Sequence, residues 1–242
     1  MTLSLAWMLG ACAILGASFV QGLTGFGLGL VALSFLPYLL PPTMAVVLIT
    51  IYGAAFAIAV LLQLRRDVTP REIVQLLIGT VVGMPFGVWI LASVPGNVVN
   101  RIIGFVLVVV ALLEWRGLYP GRLHGWYWGL GAGVLAGLLG GGFGTPGPPV
   151  ILYSTTQGWS PRTIKANLQA FFTLNQAVIL AGHWWAGLLT GEVVALAVAF
   201  AVPAALGLLA GVLLFGRINQ VAFRRIVFVL IFASGAVLLV RG

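Results

Sequence analysis

Apolar residues fall into ten stretches of unequal length, at 3–20, 28–40, 43–64, 72–93, 98–115, 125–139, 146–153, 161–182, 190–215 and 221–240. Most approach the ~20 residues that an α-helix needs to cross a hydrocarbon core ~30 Å thick. None shows the alternating ten-residue pattern of a membrane β-barrel. The pattern therefore predicts an all-α polytopic membrane protein. Stretches two and seven are short: at about 1.5 Å per residue, a helix of about twelve residues covers only ~18 Å, so each is expected to enter the membrane and stop. Short, broken or re-entrant helices are predicted near residues 21–40 and 140–157.

The series of long and short stretches repeats after the fifth. Phe26-Gly27 corresponds to Phe143-Gly144, Pro42 to Pro161, Gly83-x-x-x-Gly87 to Gly207-x-x-x-Gly211, and Arg101-Ile102 to Arg225-Ile226. The offset between partners grows from 117 to 124, as loop insertions would make it. The order of these pairs argues for a duplicated unit, with a first transmembrane repeat at 1–118 and a second at 119–242. Because five is odd, the second copy is expected to enter from the opposite side, giving two inverted repeats.

Composition agrees: 61% of the 242 residues are hydrophobic and only 7% charged, outside the range of soluble domains. The formal charge of +8 comes from eleven arginines and one lysine that cluster at the ends of the apolar stretches. That is the distribution of topological anchors, so no nucleic-acid partner is inferred and the lipid bilayer is the expected surrounding. Arg65, Arg66, Arg71, Arg116, Arg122, Arg162, Lys165, Arg217, Arg224 and Arg225 would share the cytoplasmic face, with both termini outside. Cys12 is the only cysteine, which excludes a disulfide framework. The first stretch lacks the basic start of a secretory signal and reads as a retained membrane helix.

The richest chemistry lies in the run from Gly140 to Pro149, with five glycines and three prolines between two apolar stretches. Irregular backbone at membrane depth survives only where protein buries it or where it lines a polar cavity. Thr145-Pro146 reads as an N-cap and first position of a new helix. A helix beginning there aims roughly half a positive charge and free N–H groups at the membrane interior, which suits an anion. The backbone of Gly142, Phe143, Gly144, Thr145 and Gly147 is the expected donor nest. Gln21, Thr24, Gly25, Gly27 and Gly29 form the first-half counterpart, so that two helix starts would face each other across the middle.

In stretch eight, Arg162, Lys165, Gln169, Thr173 and Gln176 fall within about 80° of one helical face. Such a stripe can be glue between helices or a solute pathway; its leading pair of cations favours an anion pathway from a cytoplasmic mouth at Arg162 and Lys165. Asn167 and Asn175 point elsewhere, towards neighbouring helices. His183-Trp184-Trp185 reads as an interfacial belt. Glycines 129, 133, 137 and 141 recur every four residues and make a smooth packing face, as do the two Gly-x-x-x-Gly pairs.

Asp67, Glu72, Glu114 and Glu192, the only acids, lie near stretch ends, so no carboxylate relay crosses the middle. His124 and His183 are too isolated for a metal pair, and no Gly-Lys-Ser/Thr follows the glycines. No cofactor, no metal and no catalytic constellation are expected, and hence no enzyme.

Gly22-Leu23-Thr24-Gly25-Phe26-Gly27 with the later Pro37, Gly140-Gly141-Gly142-Phe143-Gly144 with Pro149, and Pro161-Arg162 opening the next helix together resemble the sulfite exporter family, TauE/SafE. The resemblance covers nearly the whole chain and implies transport of sulfur-containing oxyanions such as sulfite, thiosulfate or organosulfonates across the cytoplasmic membrane. Charge and donor geometry alone admit a carboxylate or another small anion equally. The expectation is a secondary transporter, an exporter, working by alternating access around a midplane site at the two glycine-rich breaks, as a possible homo-oligomer. Two alternatives stand beside it: a passive anion channel, which would pass single-channel currents, and a non-transporting membrane anchor of a redox complex, which would co-purify with its partner.

Overall fold

The computed structural model describes residues 3–117, 123, 125–215, 217 and 219–241; Arg122 and His124 lie outside them. Among the described residues there are eleven α-helices and no strand. They are α1 (Leu3–Thr24), α2 (Leu28–Leu33), α3 (Pro42–Leu64), α4 (Pro70–Ser93), α5 (Gly96–Arg116), α6 (Trp126–Phe143), α7 (Gly147–Thr156), α8 (Pro161–Trp185), α9 (Gly191–Ala199), α10 (Ala201–Leu214) and α11 (Gln220–Arg241). Short 3-10 turns occupy Leu36–Tyr38 and Arg65–Asp67. Helices dominate because a segment in lipid has no water to bond its N–H and C=O groups and must pair them internally.

Among the described residues five helices are long and apolar enough to cross a membrane: α1, α3, α4, α5 and α11. Helices α9 and α10 make a sixth span if taken together, bent by 50° at Phe200. The sequence pattern over 190–215 predicts one continuous helix here. The bend has a local cause, since Pro203 has no N–H to offer the carbonyl of Ala199 one turn earlier. Helix α8 has 25 residues, length enough to cross, but its polar stripe lowers its hydropathy.

The chain folds into two compact units. The first takes the described residues of Met1–Ile49, Val94–Leu118 and Thr190–Gly242, and the second those of Thr50–Ser93 and Tyr119–Leu189. Each unit therefore draws helices from both halves of the sequence.

In the first unit α1 packs on α10, α5 on α11, and α2 beside α1 and α11. Gly22 of α1 rests on the carbonyl of Leu208, while Gly207 and Gly211 rest on those of Leu15 and Phe19. Gly104 and Gly235 bring α5 and α11 together, and a Cβ at Gly104 would fall 2.7 Å from the Gly235 oxygen. Arg224 pairs with Glu114, placing the end of α5 and the start of α11 at one end of this unit.

In the second unit α4 packs on α6, and α8 on α4, α6 and α7. Gly79 and Gly83 meet the carbonyls of Leu130 and Val134, and Gly133 that of Leu76. This is the backbone approach that small residues permit between helices in lipid, where no hydrophobic effect drives them together. The start of α8 is fixed by Ser160, whose hydroxyl accepts the Thr163 N–H at 3.1 Å, with Pro161 at the first helical position.

Candidate functional site

In the first unit the chain leaves helix after Thr24 and re-enters it at Leu28. Gly25 and Gly27 hold φ of 79° and 104°, a region that side chains rarely adopt, so the turn requires glycine. Gln21 spans the gap. Its Nε2 donates to the Gly25 carbonyl at 3.2 Å and its Oε1 accepts the Leu28 N–H, also at 3.2 Å. The Thr24 hydroxyl has the carbonyls of Val20 and Phe26 as acceptors within reach of its one hydrogen, and the Gly25 N–H bonds the Gln21 carbonyl at 2.7 Å. Gln21, Thr24 and Gly25, expected to face a ligand, thus have bonds inside the turn itself. The buried carbonyls that a break exposes need partners, and the nearest polar groups supply them.

The second unit is interrupted between Phe143 and Gly147. Gly142 and Phe143 still belong to α6, so their N–H groups lie in the helix ladder. Gly144, at φ 62°, turns its N–H back to the Gly140 carbonyl at 3.0 Å, and the Thr145 N–H bonds the Leu139 carbonyl at 3.2 Å. The expected nest is smaller than the sequence suggests. Pro148 and Pro149 carry no N–H, which leaves Gly147 at the head of α7.

Thr145 is not the N-cap: Pro146 holds that position, without a side-chain cap. The Thr145 hydroxyl is instead buried, with the residue 3% exposed and Oγ1 lacking a hydrogen-bond partner. The reason lies in the two N–H groups just described, which draw Thr145 back onto the end of α6 rather than forward onto α7.

The break lies against the middle of α8. A Cβ at Gly140 would fall 2.5 Å from Ile179 Cδ1, and one at Gly147 3.8 Å from the Phe172 ring. On α8 itself, Gln169 and Gln176 are buried, and Gln176 lies against Gly53 of α3 with its Oε1 unpartnered. The Thr173 hydroxyl turns back to the Gln169 carbonyl at 2.8 Å. Asn167 accepts the Thr69 N–H at 2.7 Å, and Asn175 accepts the Thr80 hydroxyl at 2.9 Å, both tying α8 to its neighbours. At the charged end Lys165 is exposed, while Arg162 pairs with Asp67 at 2.9 Å rather than standing free at a mouth.

His183 departs most from expectation. Trp184 and Trp185 are exposed as a belt would be, but His183 is 0% exposed, with Nε2 2.8 Å from the Gly141 carbonyl. One helix turn beyond Gly141 stands Thr145, whose N–H is bonded to Leu139 instead. The histidine thus fills the place of the missing backbone donor. A signal existed in the sequence: His183 follows Gln176 by seven residues, which continues the polar stripe.

Gly142, Phe143, Gly144, Thr145, Gln169, Thr173, Gln176, Arg162, Lys165 and His183 all belong to the second unit, and Gln21, Thr24, Gly25 and Gly27 to the first.

No solved structure matches the chain. A curated protein of Cupriavidus necator, the "Probable sulfite/organosulfonate exporter TauE", is 32% identical over 208 residues, covering 81% of this chain and 79% of that protein. The family model described as "Sulfite exporter TauE/SafE" matches residues 9–238. That family is one of membrane exporters, not of enzymes. With all-helical architecture, several apolar spans and a match over most of its length, this multi-pass membrane protein belongs to the sulfite exporter TauE/SafE family.

Proposed function

We propose that the protein is a secondary transporter that exports small sulfur-containing oxyanions, such as sulfite or organosulfonates, across the cytoplasmic membrane. The observation that carries this reading is the Thr145 hydroxyl, a buried polar group left without a partner at a break between two helices. Leaving such a group unpaired costs about 1–3 kcal/mol, and a solute oxygen is the partner that would offset it. Gln176 is the second group of this kind, and its amide can also present N–H donors. The anion is held at the break between α6 and α7, near the middle of the bilayer, and is exposed alternately to the two sides. An outward gradient of the anion drives export.

The reading includes two inverted repeats of five segments. Helix pairing within each unit supports it: α4, the Gly-x-x-x-Gly helix of the first half, packs on α6 of the second, while α10, the Gly-x-x-x-Gly helix of the second half, packs on α1 of the first. By the sequence offset these are equivalent pairs with the halves exchanged.

Uptake of radiolabelled sulfite, a sulfonate and a carboxylate into proteoliposomes tests the function. Saturable flux with counterflow of the sulfur anions is expected. Single-channel currents in its place would make the protein a passive anion channel, and absence of flux with a co-purifying redox partner would make it an anchor subunit.

A further inference from the structure

We propose that His183 carries a proton together with the transported anion, so that the protein couples anion movement to proton movement. This rests on the transport reading above and adds its coupling ion.

The tautomer follows from hydrogen bonding. The Gly141 carbonyl can only accept, so Nε2 at 2.8 Å must carry the hydrogen. In the neutral ring Nδ1 then bears a bare lone pair, and Nδ1 is buried without a partner. Protonation adds one N–H bond at Nδ1 and leaves the Nε2–H bond to Gly141 intact. The resulting imidazolium places a positive charge beside Gly141, three residues before Gly144, and adds a donor at the orphaned Nδ1. A cation there suits an oxyanion at the break, because the N–H groups of Gly144 and Thr145 are already bonded within α6 and the prolines offer none. The end of α6 also favours the charge, since a helix C-terminus carries about half a negative charge. When the anion leaves, the proton leaves Nδ1 to the same side and the neutral ring is restored.

The side chains of α4 that meet α8 beside His183, at Gly182, are Met84 and Val88. Arg71 and Glu72 sit in the first turn of α4, about 20 Å of helix away. Helix α6 carries Tyr127 in its first turn, and α7 carries Tyr153, which accepts from Gln75. Asp67 of the Arg65–Asp67 turn is paired with Arg162, and Lys165 lies with Arg162 at the opposite end of α8 from His183.

The test uses the full chain in proteoliposomes with radiolabelled ethanesulfonate, whose conjugate acid is too strong to leak across as a neutral species. For one proton per anion, a gradient of one pH unit should concentrate the probe about tenfold on the alkaline side. In His183→Gln the amide can still donate to Gly141 but takes no proton, so a pH gradient should no longer concentrate the probe and the ratio should fall to about one. A ratio in the variant equal to wild type overturns the proposal, as does wild-type exchange indifferent to the gradient, which leaves transport itself standing. No exchange of sulfonate or sulfite by wild type overturns the transport reading and the coupling with it. A second measurement needs no variant to fold: the chain has two histidines, so nitrogen NMR of labelled wild type can follow His183. Conversion from the Nε2–H form to the doubly protonated ring on acidification is expected, and a ring that stays neutral from pH 9 to pH 4 overturns the proposal.

Discussion

Thr145 and Gln21 are both polar residues at interruptions of apolar helices, and their surroundings assign them opposite roles. The amide of Gln21 is bonded on both sides, to the Gly25 carbonyl and the Leu28 N–H, and so joins α1 to α2. Gln21→Leu strands one donor and one acceptor, each worth about 1–3 kcal/mol when buried, and should lower thermal stability in detergent clearly. The Thr145 hydroxyl has no bond to lose. Thr145→Val keeps the shape and removes the unpaired group, so the melting temperature should hold or rise while anion flux falls by about tenfold or more, the loss of one hydrogen bond to a charged solute. Unchanged flux would remove Thr145 from the site.

At the scale of helices, glycine spacing decides which surfaces touch. A Cβ at Gly137 would lie 2.5 Å from the Thr80 oxygen and 2.8 Å from the Met84 nitrogen, both backbone atoms that cannot move alone. Gly137→Ala should therefore push α4 and α6 apart and cost about 1–3 kcal/mol, seen as a loss of folded, monodisperse protein. Gly16 of α1 has nothing within 4 Å of its would-be Cβ. Gly16→Ala should be neutral or stabilising by up to about 1 kcal/mol, because alanine is the better helix former. If both substitutions behave alike, glycine packing does not hold α4 against α6. Proline acts at the same scale: Pro203 accounts for the bend at Phe200, whereas Pro85 lies inside an α4 that remains one helix.

For the whole molecule, the testable claim is orientation. Arg66 follows the third apolar stretch and Arg217 the ninth, and Trp185, 89% exposed, closes α8 at the end away from Arg162. In a background with Cys12→Ser, single cysteines at 66 and 217 should react with an impermeant maleimide only from the cytoplasmic side. A cysteine at 185 should react from outside. Labelling of 66 and 217 from opposite sides would refute the alternating topology on which the inverted repeat depends, since six stretches, an even number, separate the two loops.

The amino-acid sequence alone determined the solvent and the helical class. Long apolar runs leave no other conformation with paired backbone groups in lipid. Packing through Gly83, Gly133 and Gly207 was legible for a local reason, because a missing side chain is visible in the chain itself. Tertiary structure alone decided which polar atoms are already taken. Arg162 reads as a free cation until Asp67 lies beside it, and His183 reads as an interfacial ring until the carbonyl of Gly141 lies 2.8 Å from it. A hydrogen bond depends on two groups that lie far apart in the sequence, 42 residues for His183 and Gly141, and spacing along one helix reveals only one of them.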